Sequence, residues 1–119
     1  MNPWRITVLG GGAWGTALAA ALRRASQQVT LWARDTETAK AISIGENPRY
    51  LPGIRLPGDI VGTTDSAHAL DGTDCVLIVV PAQSLRDTLD GLAFRIPPHV
   101  PVVLCAKGIE RSTGLLLSD

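Results

Sequence analysis

Short apolar runs alternate with longer helix-forming segments along this chain. The run Cys75–Val80 contains no polar position, so we expect it to be buried on both faces, as a central parallel strand is. The pattern predicts strands over 5–9, 29–33, 59–63, 73–80 and 101–106, and helices over 14–25, 36–44, 66–70 and 85–94. We expect Asp65 to cap the short helix over 66–70. Strands that alternate with helices indicate an α/β domain with a doubly wound, mainly parallel sheet and helices on both faces.

A glycine-rich turn joins the first strand to the first helix. The apolar strand leads into Gly10-Gly-Gly-Ala-Trp-Gly15, and an alanine-rich segment follows. In this spacing the first glycine permits a sharp turn, the second lets the backbone approach a pyrophosphate, and the third lets the helix pack closely on the strand. The helix N-terminus offers free N–H groups and a partial positive charge to the phosphates. We therefore expect Gly10, Gly12 and Gly15 to bind a dinucleotide in a Rossmann-type domain.

The end of the second strand bears on the choice of cofactor. Domains that prefer NAD carry an acidic residue about 20 residues past the glycines, where it binds the adenosine ribose hydroxyls. If the strand ends at Ala33, then Arg34 follows it, and an arginine there can meet a 2′-phosphate and stack on adenine. If the strand is two residues longer, Asp35 is the acid and the preference reverses. We favour Arg34, and therefore NADPH over NADH, because Asp35 also fits the N-cap of the next helix.

Three further segments are candidates for lining the ligand crevice. Between Gly45 and Gly58, two Pro-Gly pairs predict a shaped surface connection rather than a helix or a central strand, and Tyr50 in it either covers an adenine or anchors the loop. Pro81 and Ser84 follow the carboxyl end of the long apolar strand, which is the edge that faces the crevice. Lys107 follows the last strand, where it either holds an anionic substrate group or is a surface lysine.

Composition and charge exclude several other classes of protein. Hydrophobic residues make up 45% of the 119 residues and the formal charges balance, so we expect neither disorder nor nucleic-acid binding nor attachment to a membrane surface. No apolar run reaches the ~20 residues of a membrane span, and the first strand begins too early for a signal peptide. We interpret Cys75 and Cys105 as core thiols and His68 and His99 as surface residues, with no metal site. These features predict a cytoplasmic protein.

Five motifs, in the right order along essentially the whole chain, carry a resemblance to a family. They are the segment 10–19 with its glycines and tryptophan, Leu31-Trp-Ala-Arg34, Asn47-Pro-Arg-Tyr-Leu-Pro-Gly53, Val79-Val-Pro81-Ala-Gln83 and Lys107-Gly-Ile-Glu-x-x-Thr-Gly114. The tryptophan and the Lys-Gly-Ile-Glu motif are far more specific than the glycines alone. The chain resembles the N-terminal cofactor-binding domain of the bacterial NAD(P)-dependent glycerol-3-phosphate dehydrogenases.

The resemblance implies an activity and a set of residue roles. The activity is reversible hydride transfer between a nicotinamide cofactor and dihydroxyacetone phosphate, which gives sn-glycerol 3-phosphate for phospholipid synthesis. The glycine turn with Ala13 and Trp14 would bind the pyrophosphate region, and Arg34 would meet the adenosine ribose or its 2′-phosphate. Ser84 would lie near the cofactor, and Lys107 would contact both cofactor and substrate. Ala13 stands where the family often has serine, so a side-chain bond to phosphate is lost while the backbone N–H remains.

The resemblance also implies a second, helical domain that supplies the general-acid lysine and most of the phosphate-binding residues. We therefore interpret residues 1–119 as a truncated Rossmann domain that has no catalytic residue of its own and is inactive by itself. A homodimer is expected for the full-length protein. Two alternatives stay open: a non-catalytic dinucleotide-binding or sensing module, and another Rossmann dehydrogenase of the 6-phosphogluconate or hydroxyacyl type.

Overall fold

The computed structural model describes residues 3–48, 51–80, 82–92 and 95–105. The strands among these residues are β1 (Arg5–Leu9), β2 (Gln28–Trp32), β3 (Glu46–Asn47), β4 (Leu51–Arg55), β5 (Val61–Thr63), β6 (Cys75–Ile78) and β7 (Val102–Leu104). The helices are α1 (Ala13–Arg24), α2 (Thr36–Ser43), α3 (Ser66–Leu70) and α4 (Ala82–Leu92). Strands and helices alternate along most of the chain, as the hydrophobic pattern predicted.

Five of these strands form one parallel sheet, in the order β5-β2-β1-β6-β7. The first strand lies at its centre, where Ile6 pairs with Val29 on one side and with Cys75 on the other. Because the chain adds strands first on one side of β1 and then on the other, the order reverses at β1. This is the doubly wound, Rossmann-type arrangement that the sequence predicted, and its carboxyl edge at β1 is where such sheets bind ligands.

The two faces of the sheet are covered by separate clusters of apolar side chains. On one face, Val8 and Leu31 are fully buried with the alanines of α1 and α2. On the other face, Leu9 and Ile78 are buried with Leu70, while Leu85 and Leu89 of α4 pack against that cluster. Small residues on the first face let the helices approach the strands closely. Together the clusters hold the carboxyl ends of β1, β2 and β6 in fixed relation.

Two of the helices begin at the aspartates that the sequence singled out as caps. Asp35 accepts hydrogen bonds from the backbone N–H and the hydroxyl of Thr38, at 3.0 and 2.9 Å. Asp65 accepts from two backbone N–H groups in the first turn of α3. Both predicted N-caps are therefore confirmed. The helix predicted from residue 85 begins at Ala82, because the polar residues after the buried strand already form its first turn.

A short antiparallel hairpin interrupts the segment between Gly45 and Gly58. It is formed by β3 and β4, which pair with each other and lie outside the parallel sheet. The prediction that this segment holds neither a helix nor a central strand is confirmed, but the sequence did not predict the hairpin. The two Pro-Gly pairs concealed it, since proline is depleted in strands and is tolerated in a two-stranded edge structure.

The last described strand, β7, is more exposed than expected for the strand predicted to carry the core thiol Cys105. It stands at the edge of the described sheet, and Val102, Val103 and Leu104 are 42%, 46% and 38% exposed. Cys75 and Cys105 are free and half-buried, and burial raises the pKa of both thiols above its usual range. Both thiols are thus only partly buried, rather than fully in the core as predicted, and the raised pKa keeps them protonated at neutral pH.

Candidate functional site

The turn after β1 brings the backbone into closer contact than any side chain would allow. Gly10 has a φ of +133°, and a Cβ built on it would lie 2.1 Å from the carbonyl oxygen of Val79. The Gly10 N–H donates to the carbonyl of Trp32 at 2.9 Å, and the Val79 N–H donates to that of Leu9 at 2.9 Å. Glycine is therefore required here for two reasons, backbone conformation and space. The turn is fixed between the ends of β2 and β6.

Gly12 differs from its neighbours because it faces open space. A Cβ on Gly12 would have no heavy atom within 4 Å, and Gly12 is the N-cap of α1 without any side-chain cap. The first turn of α1 contains no acidic residue, so no carboxylate competes for its N–H groups. Open space above a helix N-terminus without a side-chain cap is a good fit for a pyrophosphate, because the partial positive charge and the backbone N–H groups of the first turn are directed toward it.

Gly15 lets α1 lie against the turn that precedes it. A Cβ on Gly15 would come within 2.2 Å of the carbonyl oxygen of Gly10, so a side chain would push the helix away from the turn. Ala13 and Trp14, in the first turn of α1, are exposed at the same end, Trp14 by 43%. The structure thus brings together five of the predicted residues, Gly10, Gly12, Ala13, Trp14 and Gly15.

The end of β2 completes one wall of this site. The strand ends at Trp32, and the next residue, Ala33, donates its N–H to the carbonyl of Thr63 at 3.0 Å. The Asp35 carboxylate caps α2, whereas Arg34 is exposed and donates from Nη2 to the hydroxyl of Thr88 at 3.1 Å. Asp35 and Arg34 were the two candidates for contacting the ribose. The Asp35 side chain caps a helix, whereas the Arg34 side chain is exposed and bonded to a neutral hydroxyl.

A cleft of about 230 Å³ runs along the carboxyl edge of the sheet. Its lining combines the glycine turn, the residues after β2 and the residues after β6, namely Gly10–Gly12, Trp32–Asp35, Thr38 and Val79–Val80. A larger cavity, of about 510 Å³, lies on the α3 face toward the opposite end of the strands, where Arg5, Thr30 and His68 line it. That cavity contains none of the predicted site residues. The cleft at the carboxyl edge is therefore the candidate site.

Asn47 is a structural residue of this site that the sequence did not single out by itself. Its side chain is fully buried, and Nδ2 donates to the carbonyl of Gly11 at 2.9 Å and to the hydroxyl of Thr16 at 2.8 Å. Its Oδ1 is buried without a hydrogen-bond partner among the described residues. The hairpin thus holds the glycine turn through one amide. No sequence motif indicates this contact, because Asn47 and Gly11 lie far apart in the sequence and meet only in the folded protein.

The other predicted site residues lie wholly or partly outside the described part of the chain. Tyr50, Pro81 and Lys107 are not among the described residues, and Ser84 is placed by its backbone alone, in the first turn of α4. His68 and His99 are exposed, as predicted. Within the described ranges, no three His, Cys, Asp or Glu side chains could hold a metal ion, and no helix is long and apolar enough to cross a membrane.

Known proteins resemble this chain over nearly its whole length, both in sequence and in structure. The glycerol-3-phosphate dehydrogenase [NAD(P)+] of Mesorhizobium japonicum is 62% identical over 98% of this chain, and that of Chelativorans sp. is 51% identical over 98%. The chain spans only 34% and 36% of these two relatives, about a third of their length. The crystal structure of the glycerol-3-phosphate dehydrogenase from Coxiella burnetii matches 98% of the chain and 38% of its own, with a TM-score of 0.79 and 29% identity.

A family match covers nearly the whole sequence. Residues 5–119 match the family described as NAD-dependent glycerol-3-phosphate dehydrogenase N-terminus. The matched range includes the glycine turn and Arg34, which line the described cleft, and Asn47, which holds the turn. The doubly wound sheet and the open, uncapped N-terminus of α1 agree with a nucleotide-binding domain. This chain therefore belongs to the family of NAD-dependent glycerol-3-phosphate dehydrogenase N-terminal domains.

Proposed function

We propose that this chain is the cofactor-binding part of an enzyme that reduces dihydroxyacetone phosphate to sn-glycerol 3-phosphate. The observation that carries the proposal is the open space at Gly12, directly above the uncapped N-terminus of α1. A pyrophosphate placed there would accept hydrogen bonds from backbone N–H groups. The name that the relatives carry, glycerol-3-phosphate dehydrogenase [NAD(P)+], supports the choice of substrate. The product would serve phospholipid synthesis.

The proposed reaction divides the chemistry between cofactor and protein. A bound nicotinamide supplies the hydride that reaches the ketone carbon, and the ketone oxygen must gain a proton. The described residues offer binding and orientation rather than a proton donor. We propose that Lys107 contacts the anionic substrate and the nicotinamide side, and that the general-acid lysine belongs to a helical domain outside these 119 residues. The chain alone would then bind cofactor without turning over substrate.

We further propose that the site prefers NADPH, through Arg34. The Asp35 carboxylate already accepts two hydrogen bonds from Thr38 through Oδ2, which holds it at the start of α2 and favours Arg34 as the residue that meets the ribose. The exposed Arg34 guanidinium would form charge-assisted hydrogen bonds with a 2′-phosphate. Tyr50, Pro81 and Ser84 remain proposed cofactor contacts. A homodimer and a cytoplasmic location remain predictions.

Calorimetric titration with NADPH and NADH tests the cofactor assignment. Arg34→Ala should weaken NADPH binding by ~1–3 kcal/mol, or about 5- to 150-fold, and barely change NADH binding. Arg24→Ala is a matched control, because it removes the same charge from an exposed position at the far end of α1 and should change neither affinity. Equal losses for the two cofactors would show that Arg34 does not contact the 2′-phosphate.

Turnover of dihydroxyacetone phosphate tests the reaction itself. The protein at its full natural length should oxidise NADPH in the presence of this substrate, and Lys107→Ala should reduce turnover without lowering the melting temperature. A protein that binds the cofactor saturably and reduces no dihydroxyacetone phosphate would instead be a binding or sensing module. Activity on 6-phosphogluconate or a hydroxyacyl substrate would point to another dehydrogenase.

A further inference from the structure

A hydrogen bond joins the residues that follow β2 to the helix that follows β6. Arg34 donates from Nη2 to Oγ1 of Thr88 at 3.1 Å, although 54 residues separate them in the sequence. In the sheet, β1 lies between β2 and β6, so the bond links segments that follow the two strands flanking β1. Arg34 also lines the cleft itself. The link therefore ties Arg34, which lines the proposed cofactor site, to a helix outside its lining.

The two ends of this link differ in their freedom to move. Thr88 is 3% exposed, and its neighbours Leu85 and Leu89 pack against the buried cluster on that face of the sheet. Arg34 is exposed and has a long side chain with many rotamers. A buried hydroxyl on an anchored helix is thus a fixed point, and the arginine is the mobile partner that it orders.

The bond leaves the arginine able to bind an anion. A guanidinium has five N–H donors and no acceptor, so one bond from Nη2 leaves the others for a phosphate. Thr88 is neutral, so the contact removes none of the positive charge. An arginine that is already ordered loses less conformational entropy when a ligand binds.

We propose that Thr88 is a positioning residue that holds Arg34 at the mouth of the cleft and thereby raises selectivity for the 2′-phosphorylated cofactor. The proposal rests on the proposed role of Arg34 in binding NADPH. Because Thr88 acts through Arg34, its hydroxyl should raise the affinity for NADPH, whose 2′-phosphate Arg34 contacts, and not the affinity for NADH. A role of Thr88 in packing alone would affect the binding of both cofactors alike.

The test measures NADPH and NADH affinities of Thr88→Val by calorimetry, in the protein at its full natural length. Valine keeps the shape and removes the hydroxyl, so NADPH should bind about 3- to 10-fold more weakly and NADH within about twofold of wild type. Thr88→Ser keeps a hydroxyl and should restore most of the NADPH affinity. If valine does not fold at this buried position, Thr88→Ala removes the same hydroxyl from a smaller side chain and replaces it in the test.

A double-mutant cycle separates an action through Arg34 from a direct one. In an Arg34→Ala background, Thr88→Val should have no further effect on NADPH binding, because the group it positions is gone. Thr7→Val is a matched control, since Thr7 is likewise buried, at 2% exposure, donates its hydroxyl to the carbonyl of Ala69, and does not line the cofactor cleft. It should lower stability and leave the ratio of the two affinities unchanged.

The outcomes distinguish this proposal from the one on which it rests. If Arg34→Ala does not lower NADPH affinity selectively, the role of Arg34 is wrong and that of Thr88 falls with it. If Arg34→Ala is selective while Thr88→Val and Thr88→Ala leave NADPH binding intact, only the role of Thr88 is wrong. An equal loss for both cofactors, or an undiminished effect of Thr88→Val in the Arg34→Ala background, would also overturn it.

Discussion

Replacing Gly15 by alanine would place a methyl group inside the glycine turn. The new Cβ would lie 2.2 Å from the carbonyl oxygen of Gly10 and 3.2 Å from its carbonyl carbon. Both neighbours belong to the backbone, so neither can rotate away as a flexible side chain would. Either α1 or the turn must move, although both are held by the buried cluster and by the ends of β2 and β6.

The magnitude follows from two opposing effects. Forcing a methyl group into a packed site costs typically ~1–3 kcal/mol, and a backbone clash of this size belongs at the upper end. Alanine in a helix gains up to about 1 kcal/mol over glycine. The net loss for Gly15→Ala should therefore be about 2 kcal/mol, which corresponds to a fall in melting temperature of roughly 8 °C for a domain of this size.

Gly91→Ala is the matched control for this variant. Gly91 is also helical, near the end of α4, and a Cβ on it would have no neighbour within 4 Å. Only the gain in helix propensity applies there, so this variant should be stabilised by about 0.5 kcal/mol. The same chemical change is thus expected to have opposite signs at the two positions.

Urea denaturation followed by circular dichroism, without cofactor, measures both changes. A Gly15→Ala protein as stable as wild type would refute the argument, because the turn would then have room for a side chain. Equal destabilisation by Gly15→Ala and Gly91→Ala would refute it as well. Titration of folded Gly15→Ala with NADPH and NADH should show weaker binding of both, since the displaced turn is common to the two cofactors.

Three further changes test other parts of the site. Asp35→Ala should cost ~1 kcal/mol of stability through the lost cap, seen as a lower melting temperature, and leave the ratio of NADPH to NADH affinity unchanged; a shift of that ratio toward NADPH would make Asp35 a ribose contact. Asn47→Ala should lower the free energy of unfolding by about 2 kcal/mol in urea titrations, because two buried hydrogen bonds are lost. An unchanged free energy would show that the Asn47 amide does not stabilise the glycine turn. Burial raises the pKa of Cys75 and Cys105, so less thiolate is present at neutral pH, and their reaction with a disulfide reagent should rise at higher pH than in the urea-unfolded chain. The same dependence of reactivity on pH in the folded and the urea-unfolded chain would contradict this prediction.

Local signals in the sequence were enough to predict most of the fold. Strand β1 was predicted with its correct bounds, and the aspartates before α2 and α3 were predicted as their caps. These features depend on neighbouring residues only: an apolar run, a glycine cluster, a side chain that reaches the next turn. The hairpin of β3 and β4 was missed, because its prolines and glycines are the usual signs of an irregular loop.

The parts of the site that sequence reasoning missed are contacts between distant residues. Asn47 reaches Gly11, and Arg34 reaches Thr88, across intervals that no motif spans. Neither an asparagine in a two-residue strand nor a threonine in a helix carries a sequence pattern that indicates its partner. The exposure of β7 was missed for a similar reason, since its apolar residues predict burial and the sequence does not say which neighbour would cover them.

The close approach of Gly10 to Val79 has a consequence for how the protein is made. The turn leaves the ribosome well before Val79, the residue directly after β6 whose carbonyl it rests against. Pairing of β1 with β6 must close a long loop, which is a slow step in chains dominated by distant contacts. Until that pairing is complete, one wall of the phosphate site does not exist. During synthesis, the nucleotide site and the centre of the sheet therefore come into being together.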